Sequence, residues 1–380
     1  MSSLPTISHL YFHIPFCAKL CPYCSFYVDT HFKNKSQQFL DALLAEIALH
    51  RQSYVLKPRT IYFGGGTPSS LSLSQLEYLL SGLRAQLDLS ELSEWTFEIN
   101  PATVSLDKAR LLRQLGVNRI SMGVQSWDNS LLKVLGRIHS AQQAEHTLDI
   151  LRQAGFDNIS LDLMFAVPTQ TREQWRASLQ RTIAAAPQHI SAYCLTYEED
   201  TEFFNKLQAN QFTQDPDWDA DLFEMTMDLL GEAGFIQYEI SNYALPGRES
   251  QHNCAYWQGN DYLGLGPSAF STYGEKRWQN LSDTPSYTTR ILSGESAVSF
   301  EESISPETRK GERLAFSLRT LQGAPIEELH PWQSEIAEFS ELGLLKKEGP
   351  RVVLTRKGKL LADSVAEIFV GPVGPVGPVQ

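Results

Sequence analysis

The sequence is poor in the residues that define several classes of protein. Only five cysteines occur in 380 residues, which is too few for a disulfide scaffold and favours a reducing compartment. No apolar run approaches the roughly 18 residues that a transmembrane helix needs. The opening MSSLPTISHL lacks the basic and apolar segments of a secretory signal. We therefore predict a cytoplasmic protein.

The chain also lacks an excess of positive charge. Its 32 Lys and Arg residues are outnumbered by 44 Asp and Glu residues, which gives a formal net charge of −12. This balance argues against broad binding to nucleic acids or anionic membranes, although it leaves room for a local patch. With 42% hydrophobic residues, the chain is long enough for two or three domains.

Short apolar runs alternate with helical patterns through the first half of the chain. Six runs are predicted as strands, at 9–14, 59–63, 95–100, 118–124, 158–165 and 189–195. Helical periodicity is clearest at 39–50, 73–87, 107–116 and 144–155. The alternation predicts a parallel sheet with crossover helices, either open or closed into a full or partial barrel. Near-continuous apolar character within the strands predicts burial on both faces.

Polar residues gather where these strands end. A cysteine cluster follows the first strand, and GGGTP (64–68) follows the second. Glu98 ends the third strand, Gln125 ends the fourth, and Asp162 lies in the fifth. Any one of them alone is typical of a loop or a helix cap. Their joint placement at the carboxyl ends of parallel strands indicates a functional site.

The segment CAKLCPYC (17–24) holds three cysteines at spacings of x3 and x2, and Phe26 stands where a nearby fourth would fall. A zinc site would need His13 or His31 as its fourth ligand, and the paired spacings of structural zinc sites are missing. An iron–sulfur cluster normally takes four thiolates. Three thiolates would leave one iron open to bind another molecule.

The stretch YFHIPFCAKLCPYC resembles the cluster loop of radical S-adenosylmethionine (SAM) proteins, most closely their coproporphyrinogen-oxidase-like branch. The resemblance continues through YFGGGTPS, FEINP, GVNRISMGVQSW, LGRIHS and LDLMFAVPTQT, so it spans residues 11–171. It implies a partial (β/α)6 barrel with one 4Fe–4S cluster on Cys17, Cys21 and Cys24. The open iron of such a cluster chelates SAM, and one electron then yields a 5′-deoxyadenosyl radical. An electron donor such as flavodoxin or ferredoxin is therefore an expected partner.

The same resemblance implies a set of SAM-binding residues. They are Tyr11, Tyr23, Gly65, Gly66, Thr67, Glu98, Gln125, Arg137 and Asp162. The glycines would let the backbone approach the methionine moiety closely, and a carboxylate would accept hydrogen bonds from ribose hydroxyls. The chain departs from its relatives at AVPTQT (166–171), where Gly-Leu-Pro-Gly-Gln-Thr is more common.

The segment HNCAYW (252–257) matches an H-N-x-x-Y-W motif of the haem-chaperone branch of this family. His252 offers an imidazole for haem iron, and Tyr256 and Trp257 offer flat apolar surface for a porphyrin. A core histidine with packed aromatic neighbours is the alternative. Cys254 is interpreted as a small buried residue, with iron ligation as the alternative.

Residues 301–370 read as helices, a hairpin and a last helix, which predicts a winged-helix-like α+β extension. This segment has 10 Lys and Arg residues against 12 Asp and Glu residues, so it lacks the footprint of nucleic-acid binding. We interpret it as a lid or partner surface. The predicted domains are a radical SAM core at 1–200, a linking region with the haem motif at 201–300, the extension at 301–370, and a disordered tail at 371–380.

Two functions fit this family resemblance. One is a haem chaperone that binds haem and transfers it to acceptor proteins, and the other is an oxygen-independent coproporphyrinogen III oxidase. The oxidase branch has a further cysteine where Phe26 stands and a substantial segment before the cluster, whereas Tyr11 follows only ten residues here. The resemblance thus implies a haem chaperone more than an enzyme. Its partners would be haem, haem-accepting apoproteins and, transiently, a membrane, with no nucleic acid.

Overall fold

The computed structural model describes residues 4–30 and 36–370. The predicted tail at 371–380 and His31 lie outside the described residues. Six parallel strands lie side by side in chain order at the centre of the fold. They are β1 (Thr6–Ile14), β2 (Val55–Gly65), β3 (Glu94–Ile99), β4 (Arg119–Gln125), β5 (Ile159–Phe165) and β6 (His189–Cys194).

Helices connect each of these strands to the next. They are α1 (Ser36–His50), α2 (Leu73–Gln86), α3 (Leu106–Gln114), α4 (Asn129–Val134), α5 (Ala141–Gln153) and α6 (Arg172–Ala184). Capping boxes begin α2, α5 and α6, with Ser or Thr at the N-cap and Gln three residues later. Gly116 and Gly155 follow α3 and α5 at φ values of 110° and 89°, as expected of glycines that end helices. The predicted α/β class is confirmed.

The second half of the chain extends the sheet at both edges and adds two smaller sheets. Its elements are α7 (Glu202–Gln208), α8 (Pro216–Glu232), β7 (Ile236–Gln237), β8 (Asn242–Ala244), α9 (Gln251–Trp257), β9 (Leu263–Leu265), β10 (Phe270–Tyr273), β11 (Lys276–Asn280), α10 (Thr284–Leu292) and β12 (Val298–Ser303). Strand β9 pairs in parallel with β1, while β8 pairs antiparallel with β6 and carries β7. Strands β10, β11 and β12 form an antiparallel sheet of their own.

The last part of the chain forms a winged-helix-like unit with its own apolar core. It contains α11 (Pro306–Leu318), β13 (Ala324–Pro325), α12 (Gln333–Glu341), β14 (Leu345–Glu348), β15 (Arg351–Leu354), α13 (Arg356–Leu360) and α14 (Ala362–Ala366). Strands β14 and β15 form the predicted hairpin, and β13 pairs with β15. No helix among the described residues is long and apolar enough to cross a membrane.

Side chains alternate along the central strands between an apolar face and a polar face, and both faces are largely buried, as the sequence predicts. One face packs beneath the helices through residues such as Phe12, Ile61 and Phe63, which are all fully buried. The other face, which we call the lumen face, is mostly polar. Its residues are His9, Tyr11, His13, Thr60, Tyr62, Glu94, Thr96, Glu98, Arg119, Ser121, Ser160, Asp162, His189, Ser191 and Tyr193.

The sheet curls around the lumen face. Glu98 on β3 helps to raise the pKa of Tyr193 on β6, after burial, Asp162 and Glu239, although two strands lie between β3 and β6. A flat sheet would separate these side chains widely, because neighbouring strands lie about 4.8 Å apart. A curved sheet with a polar concave side is the partial barrel that the sequence predicts, and polar residues on that side are expected where a ligand binds.

Candidate functional site

The cysteine loop is attached to the carboxyl end of β2. The backbone N–H of Gly66 donates to Ile14 O at 2.8 Å, and that of Thr67 donates to Phe16 O at 2.8 Å. These bonds continue the parallel ladder beyond β1. The Cys17 Sγ consequently lies 3.4 Å from the Thr67 Oγ1. Two segments that the sequence assigns to the site therefore meet at one point.

Cys21 lies beside Arg137, which follows α4. Its Nη1 donates to the Cys21 Sγ at 3.8 Å, its Nη2 donates to Gly123 O at 3.1 Å, and it also hydrogen-bonds the Tyr23 side chain. Burial raises the pKa of the Cys24 thiol to about 11, so metal binding at Cys24 must displace a proton. The guanidinium places positive charge where thiolates would form, which favours them.

A mononuclear metal site does not form around this loop. Among residues 4–30 and 36–370, no group of three or more His, Cys, Asp or Glu side chains has the arrangement to hold a single ion. The Nδ1 of His13 lies 3.2 Å from the Tyr11 hydroxyl, and its Nε2 lies 2.9 Å from Tyr27 O. Since both nitrogens are already engaged, His13 is not the fourth zinc ligand considered above. Cysteines on a cubane cluster bind separate irons, so they need not converge as ligands of one ion do.

The glycines after β2 are required by contacts within the chain. Gly65 has a φ of 101°, and a Cβ there would lie 2.6 Å from the His13 ring. A Cβ at Gly66 would lie 2.7 Å from the carbonyl of Pro15. The sequence-based reason for these glycines, close approach to a bound methionine, is therefore not needed to explain them. Their backbone groups remain at the edge of the site.

Two half-buried carboxylates lie on the lumen face, one on β3 and one on β5. Glu98 Oε1 accepts a 2.7 Å hydrogen bond from the Tyr62 hydroxyl, and burial raises the pKa of Glu98 to about 7. Asp162 accepts hydrogen bonds from Ser121 at 2.8 Å and from Ser160 at 2.9 Å, and burial raises its pKa. Desolvated carboxylates are expected where a ligand supplies hydrogen-bond donors.

Gln125 ends β4 in a strained conformation. Its φ is 63°, and its side-chain Oε1 is buried without a hydrogen-bond partner among the described residues. The Nε of Arg137 is likewise buried without a partner in that part of the chain. Buried polar atoms are nearly always hydrogen-bonded, so these two need a partner that a ligand or water would provide. The donors and acceptors present thus fit a zwitterionic, hydroxyl-bearing cofactor.

The loop after β5 has a left-handed backbone at two residues that are not glycine. Ala166 and Thr169 have φ values of 59° and 70°, at the two positions where the family resemblance implies glycine. Left-handed φ is unfavourable for residues with a Cβ, and most of all for a β-branched residue. The left-handed backbone at these two residues therefore lowers the stability of the fold.

Several lumen residues are absent from the sequence-based site. Tyr62 connects Glu98 to the haem motif described below, and Tyr11 stacks on Tyr62 with 6.2 Å between ring centroids. Arg119 is 2% exposed and donates only a 3.5 Å bond to Thr96, and its Nε lacks a partner among the described residues. Strict alternation within β2 and β4 is the signal that would have identified these residues.

His252 lies at the end of the lumen where the central strands begin, whereas the cysteine loop lies where β1 ends. It belongs to α9, and its Nδ1 lies 2.8 Å from the Thr60 Oγ1. Its ring packs on Tyr62 with 5.2 Å between centroids, and burial lowers its pKa to about 3. The imidazole is therefore neutral at physiological pH, as an iron ligand must be.

The aromatic residues of the same motif do not offer a free surface. Trp257 is 6% exposed, and Tyr256 packs against Trp257, Tyr262 and Phe316 of α11. Because both rings pack against Phe316 of the winged-helix-like unit, the structure favours the alternative of packed aromatic neighbours over a flat surface for a porphyrin. Burial raises the pKa of Cys254 to about 12, in keeping with a small packed residue.

Comparison with known proteins identifies the class. Residues 11–182 match the Radical SAM superfamily. The solved structure of the Escherichia coli coproporphyrinogen III oxidase HemN superposes with a TM-score of 0.84 at 24% identity, covering 97% of this chain and 91% of that one. Fold, cysteine loop and superfamily match together define a radical SAM protein, a class whose cofactors are a 4Fe–4S cluster and SAM.

Full-length relatives define the family. The chain is 35% identical to the heme chaperone HemW of Lactococcus lactis, over 95% of this chain and 96% of that protein. It is 33% identical to HemW of Bacillus subtilis, over 95% and 98% of the two chains. It is 34% identical to HemW of Escherichia coli, over 97% of this chain and 100% of that protein. The chain belongs to the HemW family.

Proposed function

We propose that the protein is a haem chaperone, which binds haem and transfers it to acceptor proteins. The observation that carries this proposal is the HNCAYW motif within a chain that is similar along nearly its whole length to proteins named heme chaperone. The half-buried, neutral imidazole of His252 supports a role as a haem ligand.

In this proposal, Cys17, Cys21 and Cys24 hold one 4Fe–4S cluster. Arg137 lies against Cys21 and supplies positive charge that favours the bound thiolates. The cluster and SAM, when bound, supply one-electron chemistry at the open iron. These cysteines would hold the cluster on the loop that follows β1.

Residues at the strand ends would hold SAM. Glu98 and Asp162 would accept hydrogen bonds from its hydroxyl and ammonium donors, and both half-buried carboxylates lie on the lumen face. The unpartnered atoms of Gln125 and Arg137 complete the polar contacts. Tyr11, Tyr23, Gly65, Gly66 and Thr67 surround the same region.

The partners of this function are haem, haem-accepting apoproteins and a one-electron donor such as flavodoxin or ferredoxin. Transient contact with a membrane would bring the chaperone to membrane-bound acceptors. A cytoplasmic location would give it access to both, and the low cysteine content is in keeping with a reducing compartment.

The second candidate function is coproporphyrinogen III oxidation, and the HemN fold favours it. One sequence difference opposes it. Phe26 is 39% exposed on the cluster loop, at a position where the oxidase branch has a cysteine.

A turnover assay separates the two functions. Anaerobically reconstituted protein is incubated with SAM, a reductant and coproporphyrinogen III, and the products are quantified per chain. We expect no sustained decarboxylation. Multiple turnovers would overturn the chaperone proposal, and a Phe26→Cys variant tests whether the residue difference alone prevents them.

A further inference from the structure

The haem motif begins at a buried carboxylate from the central sheet. Glu94, 2% exposed, opens β3 on the lumen face. Its Oε2 accepts from the backbone N–H of Gln251 at 2.9 Å, and its Oε1 accepts from that of His252 at 3.0 Å. Ser250 Oγ donates to the same oxygen at 3.4 Å. Three donors at the start of α9 are thus fixed by one residue of the barrel.

The imidazole of His252 is held by a second barrel residue. Thr60, 1% exposed, has its Oγ1 at 2.8 Å from the Nδ1 of His252 and at 2.8 Å from the Nδ1 of His9. A hydroxyl has a single proton to donate. It cannot donate to both rings, so at least one histidine must donate its own Nδ1–H to Thr60.

The proton count links the tautomer of His252 to that of His9, because the Nδ1 of at most one of the two rings can accept the Thr60 proton. If Thr60 donates to His9, or accepts from both rings, the Nδ1 of His252 carries the proton and its Nε2 has a free lone pair. Only donation from Thr60 to His252 would put the proton on Nε2. Iron binds an unprotonated nitrogen, and a hydrogen bond at one imidazole nitrogen sets the state of the other.

We propose that Thr60 and Glu94 are positioning residues for His252, holding it as the Nδ1–H tautomer with Nε2 available to haem iron. This inference rests on the proposed function. Glu94 fixes the backbone from which the imidazole projects, and Thr60 fixes the rotation and proton of the ring. Neither residue touches the iron.

Haem titration of Thr60 variants tests the inference. Thr60→Val keeps the shape and removes the hydroxyl, so we expect haem affinity to fall roughly ten- to hundredfold and the Soret band to shift. Thr60→Ser should restore both. Thr96→Val is the matched control, because Thr96 is also buried on the lumen face but contacts Arg119. Glu94→Gln should lower the affinity in the same direction, since an amide donor would replace an acceptor.

The tautomer is measurable without haem. Nitrogen NMR of ¹⁵N-histidine-labelled protein, with His252 assigned by the His252→Ala variant, should show a protonated Nδ1 in the wild type and in Thr60→Ser. A proton on Nε2 would overturn the inference. Wild-type affinity and spectrum in Thr60→Val, alongside haem loss in His252→Ala, would overturn it and leave the proposed function standing. No saturable haem binding by the wild type would overturn both.

Discussion

The hydroxyl of Tyr62 donates a 2.7 Å hydrogen bond to Glu98, and the ring of Tyr62 packs on His252 with 5.2 Å between centroids. One side chain therefore touches both the region proposed for SAM and the residue proposed for haem. Because the hydrogen bond favours the ionised carboxylate, it lowers the pKa of Glu98, against the larger effect of burial.

Tyr62→Phe should weaken SAM binding near neutral pH. Without the hydroxyl, the pKa of Glu98 rises further and fewer molecules carry the carboxylate that accepts from SAM. We expect roughly a tenfold loss of affinity at pH 7. The loss should be smaller at pH 9, where Glu98 is ionised in both the wild type and the variant. The measurement is the change in the electron paramagnetic spectrum of the reduced cluster with added SAM. Tyr78→Phe, which loses an exposed bond to Asp41, is the control. Equal affinities at pH 7 would contradict this prediction.

Glu98→Gln should flatten the pH dependence of stability. The folded-state pKa of Glu98 is raised from 4.5 to about 7, so its contribution to stability is present below 4.5 and is lost as pH rises through 7. We expect the unfolding free energy of the wild type to fall, relative to Glu98→Gln, by roughly 3 kcal/mol across this window. Urea unfolding at pH 4.5 and 8 measures it. The control variant Glu77→Gln, at an exposed position, should show the pH dependence of the wild type. If the unfolding free energy of Glu98→Gln has the same pH dependence as that of the wild type, the raised pKa of Glu98 is refuted.

Ala166→Gly and Thr169→Gly should each stabilise the fold. Both positions have left-handed φ values, which cost a residue with a Cβ roughly 1–2 kcal/mol. Part of this gain is lost to the greater freedom of glycine in the unfolded chain, so we expect about 1 kcal/mol. Ala177→Gly on the exposed face of α6 should have the opposite sign. Thermal unfolding of the three variants measures these changes in stability. Destabilisation by Ala166→Gly and Thr169→Gly would contradict the prediction.

A triple Cys17→Ala, Cys21→Ala, Cys24→Ala variant should bind no cluster. Iron and sulfide analysis after anaerobic reconstitution should give four of each per chain in the wild type, as a 4Fe–4S cluster requires. A Cys194→Ala, Cys254→Ala variant, in which the other two cysteines are removed, should keep the full content. A complete cluster in the triple variant would reassign the ligands.

Much of the fold was open to prediction from local patterns. Helices begin after Ser72 and Ser140 and end before Gly116 and Gly155. These signals depend on residues only a few positions apart, so they can be recognised in the sequence alone. The positions of Glu98, Gln125 and Asp162 near strand ends followed from the predicted alternation of strands and helices. Such an alternation gives parallel strands, whose carboxyl ends come together.

The rest depends on contacts between distant residues. Glu94 meets the start of α9 across 157 positions, and Thr60 meets His252 across 192. Neither pair shares a pattern that the sequence displays. The contacts that explain Gly65 and Gly66 were equally hidden, since the space at each is filled by the preceding strand and the start of the cysteine loop. The packing of Tyr256 against Phe316 could not be predicted without knowing the position of α11.

The most direct test of the central claim is a haem titration of the reconstituted protein beside its His252→Ala variant. The account predicts saturable binding of one haem per chain by the wild type, with the Soret band of an imidazole ligand, and loss or displacement of that band in the variant. Absence of saturable haem binding by the wild type, or an unchanged band and affinity in His252→Ala, would contradict it.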